Sequence, residues 1–508
     1  MAFGLDRPST KVALTRQQYT AQLVQPETVG LTGRKGLASG RGVSQFELKT
    51  RMHAQEETEM TQRVHSNALS RRGLLQASTA LAGASLAAPF LALPALAEDH
   101  PAIGTYPAGS SGSSVFVGIT CPRTGTYAVQ GEDEIKGCEL AIEHINSGHP
   151  LIKAISPKTT KGVLGKEVKY GIADDGAKPN SAVQNISRFI TEDKAVVFTG
   201  GTSSAVAVAL NKLAQREKVL YMTSISGSND TTGKDCVRYG FRECFYGQTA
   251  AAGVGPVLLK AFGKGKKAAY LTPDYTYGHT VQKSMEEFLN KNGGWTTATN
   301  QVAPLGAPDY SSYLLNVVNS GADFLLNINW GHDAVLSIQQ AKQFGVLGKM
   351  KLVVPYQTPF LAREVGAELT QGVYAATDFW WSLEDKYPLA KMFVEAFDKK
   401  YGYKPEWGAN ACYLQFAFWA NAVETAGTFY PPEVIKVLES GAKLQSTVGE
   451  VHFRPEDHQL VRPVIIVRGK KPADMKNKED FWEVLEVLPG EPLMQKPDAF
   501  GCKLGAYT

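Results

Sequence analysis

The sequence predicts an α/β protein of two lobes, each a parallel sheet covered by helices on both faces. Three observations carry this reading. From about residue 115 onward, short β-rich runs alternate with amphipathic stretches. The β-rich runs are apolar nearly throughout, as strands buried on both faces are. The alternation also comes in two series of similar size, in a chain of 508 residues that is 43% hydrophobic and 20% charged, long enough for two or three domains.

The first series places strands at 115–119 (VFVGI), 167–172 (EVKYGI), 195–199 (AVVFT) and 218–222 (KVLYM), with helices at about 129–147, 179–191 and 203–217. The second places strands at 267–272 (KAAYLT), 296–303, 322–328 (ADFLLNI) and 350–355 (MKLVVP), with helices at 247–262, 278–292, 309–319 and 332–344. Two further helices are expected at 387–401 and 408–426, then strand-like pieces at 449–453, 463–468 and 481–488. No short period repeats, which excludes a solenoid.

Ahead of this body, Ser70-Arg71-Arg72-Gly73-Leu74-Leu75-Gln76 precedes an uncharged Ala/Leu-rich run and then Ala95-Leu96-Ala97 before two acids. The pattern resembles a twin-arginine export signal cleaved near Ala97, which puts the mature protein in the periplasm. Gly83, Ser85, Pro89 and Pro94 dilute the apolar run and argue against a permanent membrane anchor. Met60 or Met52 would give such a leader an ordinary length, and residues 1–59 show no sustained periodicity. Residues 98–114, rich in Gly, Pro and Ser, read as a flexible linker.

The net charge of +4 belongs to the leader, because residues 1–72 hold 11 Lys+Arg against 6 Asp+Glu and leave the rest close to neutral. A balanced body lacks the basic stripe that nucleic-acid binding requires. The six cysteines form no Cys-x-x-Cys, which excludes zinc-ribbon and thioredoxin-like sites. In an oxidising compartment Cys236 and Cys244 either pair across their short loop or stay buried as thiols.

Ligands of open α/β sheets bind beyond the carboxyl ends of the strands, so the loops after residues 199, 222, 272 and 328 are the candidate site. After AVVFT, the turn Gly200-Gly201-Thr202-Ser203-Ser204 opens a helix and can offer amides and hydroxyls to a carboxylate; the competing reading is ordinary helix capping. The same turn approaches a G-x-S-x-G nucleophile elbow, but it ends in Ala205 and no evident His stands ready to activate Ser203. After KAAYLT comes Pro273-Asp274-Tyr275-Thr276-Tyr277-Gly278, whose aromatics either wall a pocket or pack on the lobe. After ADFLLNI comes Asn329-Trp330-Gly331-His332-Asp333, where Asp333 either receives an ammonium group or serves the helix dipole. His332 with Asp333, and His452 with His458, lack the further ligands of a zinc site.

Taken in order, Thr124-Gly125 with Gly131 and Gly137 before AIEHIN, then ADDGAKPNSAV, GGTSSAVAVAL, DYTYGHTVQKSM, APDYSSYL, GADFLLNINWGHDAVLSIQQAKQFG and STVGEVHF resemble the branched-chain amino-acid-binding (Leu/Ile/Val-type) periplasmic receptors of ABC importers over residues 115 to about 455. The resemblance implies a two-lobed periplasmic-binding-protein type I fold with a three-crossing hinge. It implies no catalysis and no cofactor or metal. By position it implies a ligand-carboxylate cradle at Thr202, Ser203 and Ser204, an aromatic wall at Tyr277 and Tyr310, and an ammonium acceptor at Asp333. Gly227 falls where the family usually has a carboxylate-binding Thr, and Gln130 where an aromatic often covers the pocket. Asp333 replaces a longer Glu, and SGSNDTTGKDC with LTPDYTYGH looks closer to a branch that includes binders of aromatic carboxylates.

The hinge crossings are expected near 243, 357 and 447. That gives lobe one as 115–243 with 358–447, lobe two as 244–357 with 448–490, and a tail at 491–508. The function implied is a periplasmic receptor that delivers a small carboxylate, foremost an amino acid, to a membrane permease. The alternatives are a receptor for aromatic carboxylates or small amides, and a ligand sensor for a signalling partner.

Overall fold

The computed structural model describes residues 100–357 and 359–508. The twin-arginine segment, the Ala97 cleavage point and the first two linker residues lie outside the described residues. Strand β1 (Ser114–Cys121) is followed by α1 (Ala128–Ser147), β2 (Glu167–Asp174), α2 (Pro179–Thr191), β3 (Val197–Gly200), α3 (Ser204–Glu217), β4 (Leu220–Thr223) and β5 (Gly240–Arg242). The strands form a parallel sheet in the order β2-β1-β3-β4-β5. Val117, Ile119, Val197, Phe198 and Leu220 are buried in it, which is why the inner strands β1, β3 and β4 are mostly apolar, whereas the edge strand β2 carries Glu167 and Lys169.

The chain then enters lobe two through α4 (Gly247–Phe262), β6 (Lys267–Pro273), α5 (Thr276–Gly293), β7 (Thr296–Ala303), α6 (Ser311–Asn319), β8 (Phe324–Asn327), α7 (His332–Gln343) and β9 (Lys351–Val353). Its parallel order is β7-β6-β8-β9. The sheet continues further than the sequence suggests. Backbone just past β9 pairs with β10 (Tyr374–Thr377) through Ala376 N–H to Pro355 O at 2.9 Å and Gln357 N–H to Ala376 O at 3.2 Å. Helix α4 supports this extension, since Phe262 touches the rings of both Phe324 and Tyr374.

After β10 the chain returns to lobe one for α8 (Pro388–Tyr401), α9 (Trp407–Ala426) and α10 (Pro431–Leu438). Sixteen of the twenty residues of α9 are buried. It lies so close to α1 that a Cβ on Gly137 would stand 2.2 Å from Ala409 O. Next come β11 (Leu444–Ser446), β12 (Gly449–Phe453) and β13 (Leu460–Val461), a small antiparallel sheet. Phe453 packs on Phe241 and Phe418 and so holds this sheet to lobe one. The last strands, β14 (Val464–Gly469) and β15 (Trp482–Leu488), add antiparallel to β10 and complete lobe two.

These pairings move two of the expected hinge crossings. The second lies near Asp378 and not 357, because residues 359–377 pair and pack in lobe two. The third lies near Arg462 and not 447, because residues 444–461 form the hairpin sheet of lobe one. One buried ion cluster joins all three crossings. Arg462 Nη1 is 2.5 Å from Glu243 Oε1 and 3.5 Å from Asp378 Oδ1, and its Nη2 donates to the Asp378 carbonyl at 2.5 Å. Asp378 in turn accepts from the Phe245 amide, and Tyr356 OH lies 2.8 Å from its second oxygen.

Residues 100–113, expected as a flexible linker, are seated on lobe one. Thr105 donates to Ala195 O at 2.9 Å, and His100 and Tyr106 both lie against the Tyr430 ring. Small polar residues here permit a close approach: a Cβ on Gly104 would meet Lys218 O at 2.4 Å.

The pairing of Cys236 with Cys244 is also overturned. Cys236 is bonded to Cys502, 266 positions away, and Cys244 is a buried thiol. The C-terminal tail is thus fastened to lobe one, where Arg238 donates to Gly505 O, Gln215 to Ala506 O and Tyr507 to Glu439. Replacing Cys502 with Ser should lower stability by about 2 to 4 kcal/mol, since a long loop is released in the unfolded chain. Denaturant unfolding measures this, and Cys236→Ser should match it; no change in either variant would show that the bond contributes nothing.

Candidate functional site

The carboxyl ends of both parallel sheets face the seam between the lobes, and the lobes meet there directly. Thr126, in the turn after β1, donates to Asp333 Oδ1 at 2.6 Å and accepts from the His332 amide. The hydroxyls of Tyr127 and Tyr275 are 2.7 Å apart, and Ser228 and Thr276 share a hydrogen bond of 2.7 Å. Gly331 makes this approach possible: its φ is +59°, and a Cβ there would stand 2.5 Å from the Tyr127 ring.

Six aromatic side chains close a circuit across this seam. Tyr127 meets Trp330 edge-on at 5.1 Å, Trp330 meets Trp407 at 6.0 Å, and Trp407 stacks on Tyr356 at 4.9 Å. Tyr356 neighbours Tyr277 at 6.4 Å, Tyr277 neighbours Tyr275 at 5.8 Å, and the Tyr275–Tyr127 hydrogen bond completes the ring. Tyr127 and Trp407 come from lobe one and the other four from lobe two.

Asp333 lies beside this circuit, 2% exposed, held by the Thr126 hydroxyl and by the Gly306 amide at 2.8 Å. Burial pushes its carboxyl up, against these two donors. Both donors are neutral, and a carboxylate has lone pairs for further ones. Tyr310 is wholly buried near the same acid, and burial raises its phenol too.

The cradle expected in the β3–α3 turn is arranged differently from the expectation. Ser203 is fully buried at the N-cap of α3, and its hydroxyl has no hydrogen-bond partner among the described residues. The Ser204 hydroxyl accepts from the Ser228 amide at 3.2 Å. Thr202 is turned inward to the buried Glu134 of α1, with 2.5 Å between Thr202 Oγ1 and Glu134 Oε1. Gly227 admits no side chain, since a Cβ would stand 2.6 Å from Tyr356 and 3.0 Å from Tyr277. Tyr277 donates to Tyr356 O at 3.1 Å. Gln130 is buried on α1 with its Oε1 unpartnered among the described residues, as are Asn329 Oδ1 and Trp407 Nε1.

Buried polar atoms of this kind are rare in finished cores. Here they follow the strand ends β1, β3 and β8, with Trp407 entering α9 beside them. The sequence reading missed Thr126, Tyr127, Glu134, Tyr356 and Trp407. Two of these carried a signal, because Thr126 and Tyr127 directly follow the Thr124-Gly125 turn at the end of β1.

Residues 114–476 match the profile of the periplasmic binding protein family. The chain belongs to that family. It is therefore a periplasmic solute-binding protein of the ABC-transporter type, whose members bind substrates. Among its relatives is the Leu/Ile/Val-binding protein homolog 7 of Brucella abortus (strain 2308), 26% identical over 313 residues, covering 59% of this chain and 74% of that one. A periplasmic binding protein from Burkholderia mallei superposes with a TM-score of 0.69 at 24% identity, covering 77% of this chain and 100% of its own. An amino acid ABC transporter substrate-binding protein from Pseudomonas fluorescens Pf-5 superposes with a TM-score of 0.68 at 25% identity, covering 77% and 99%. Against this family the α/β two-lobed fold read from the sequence stands.

Proposed function

We propose that this binding protein is the receptor of an importer for a small amino acid with an apolar side chain, and that it closes on the ligand and hands it to a membrane permease. The proposal includes export by the twin-arginine leader and cleavage near Ala97. The observation that carries it is Asp333, an acid buried at the seam whose hydrogen-bond donors, the Thr126 hydroxyl and the Gly306 amide, are neutral. A buried carboxylate without a cation is costly, and a ligand ammonium supplies the missing charge. Across the seam, Ser203 and the amino-terminal amides of α3 offer donors to the ligand carboxylate. The six rings supply apolar walls. Roles for Tyr277, Tyr310, Gln130, Ser204 and Gly227 follow from their places around this enclosure.

An aromatic carboxylate is the second reading, and the same six rings favour it; it leaves Asp333 without a cation. A thermal-shift screen of L-leucine, L-phenylalanine, benzoate and acetamide separates them. A true ligand at a hundredfold its Kd adds about 2.7 kcal/mol of stability. The amino acids should stabilise the protein most. Stabilisation by benzoate or acetamide alone would overturn the amino-acid assignment and keep the receptor.

A further inference from the structure

Glu134 is a carboxyl group placed where the family resemblance expects a ligand's carboxylate to be held. It sits on α1, fully buried, behind the β3–α3 turn. Its two oxygens are not equivalent. Oε2 accepts from the Ser224 hydroxyl at 2.5 Å and lies 4.0 and 3.9 Å from the thiols of Cys121 and Cys412. Oε1 meets only the Thr202 hydroxyl, at 2.5 Å. No backbone amide and no cation is among these partners.

The groups facing Glu134 from each packed element are Asp133 and Cys138 on its own helix, Cys121 on β1, Asp175 beyond β2, Tyr221 on β4 and Cys412 on α9. Every one is acidic or neutral. Such surroundings favour the uncharged acid.

We infer that Glu134 carries a proton on Oε1 and donates it to Thr202 Oγ1, so that the Thr202 hydroxyl is released to donate into the cleft. Oε2 is the end crowded with donors, which leaves Oε1 for the proton. When Glu134 is ionised, Thr202 must donate inward and presents only lone pairs to a ligand, behind which stands a negative charge. Glu134 is therefore a positioning residue that makes the cradle accept a carboxylate only while it is protonated. The inference rests on reading this cleft as a receptor for a carboxylate ligand. In accord with it, burial raises the Glu134 carboxyl to about 8.

The sign follows directly. Below about pH 8 the cradle is ready and affinity is flat; above it, each bound carboxylate draws one proton from solvent, and affinity should fall about tenfold per pH unit. Calorimetric titration of L-leucine and benzoate from pH 6.5 to 9.5 measures this. In Glu134→Gln the carboxamide donates to Thr202 and accepts from Ser224 at every pH. That variant should give a flat affinity profile across this pH range, losing the pH dependence the wild type shows. A flat wild-type profile, or a slope kept in the Gln variant, would overturn the inference.

A second measurement needs no ligand. The infrared difference spectrum of the wild type between pH 6.5 and 9.5 should show carbonyl stretches of buried protonated acids, and Glu134→Gln should lose the Glu134 component while keeping that of Glu243, which burial holds at about 7. Failure of both probes to bind would count against the amino-acid and aromatic-acid readings; the infrared component lost in Glu134→Gln would then decide on Glu134, its presence in the wild type supporting the inference and its absence overturning it.

Discussion

Arg462→Met should lower the free energy of unfolding by about 3 to 5 kcal/mol, the largest loss expected of any single substitution at the hinge. The arginine is 2% exposed and is the cation that faces both Glu243 and Asp378, which are themselves 1% and 0% exposed. Without it Glu243 loses its ion-pair partner and Asp378 keeps only the more distant buried Arg242. Burial already holds Glu243 up at about 7 and Asp378 at about 6. A carboxyl raised on folding contributes stability that is complete below its unfolded value and is lost as pH rises through its folded value. Removing Arg462 raises both acids further, so the deficit should be smaller at pH 5 than at pH 8. Denaturant unfolding at the two values tests this. An equal deficit at both would mean that Arg462 acts by packing and not by charge.

Asp333→Ala should weaken amino-acid binding by about 3 to 5 kcal/mol, between two and four powers of ten in Kd. The alanine also strips the Thr126 hydroxyl and the Gly306 amide of their acceptor, so part of the loss would come from a disturbed seam. Asp333→Asn separates the two effects. Its amide oxygen still accepts one of these bonds but carries no charge, so the seam should largely hold while the ammonium loses its counterion. Calorimetry with L-leucine should show both variants impaired, and with benzoate the Asn variant nearly intact. L-leucine affinity unchanged in both variants would remove Asp333 from the site.

Most elements of the two parallel sheets were legible because the inner strands are short, largely apolar runs that alternate with amphipathic stretches, although the three-residue β5 was not. Strand β10 was not. Its sequence, Tyr-Ala-Ala-Thr, is only four residues long with two alanines between its strand formers, and its place is decided by β14, some ninety residues later, which no local pattern reveals. Missing it moved the second crossing from Asp378 to 357. STVGEVHF looked like a crossing, yet Ser446 and Gly449 pair β11 with β12, and Phe453 finds its neighbours in lobe one. The site was legible at the strand ends, where Asp333 and the Ser203 turn stand in plain view. Its other half was hidden for the same reason as β10. Glu134 lies 68 positions from Thr202, and Trp407 and Tyr127 join one enclosure only once α9 packs along α1. Proximity in sequence likewise suggested Cys244 as the partner of Cys236, whereas the fold brings Cys502 there.

The fastened tail also acts as a mechanical part. It leaves lobe two at the end of β15, passes the pivot at Tyr246, whose OH meets the Gln495 amide and whose ring meets Phe500, and is fastened in lobe one at Cys236, just ahead of β5. A restraint this near an axle has a short lever arm. It opposes rotation about that axle weakly and resists sliding or twisting strongly. The lobes should thereby keep one free motion, rocking open and shut, so that each closure would bring the same six rings and the same acid back into register.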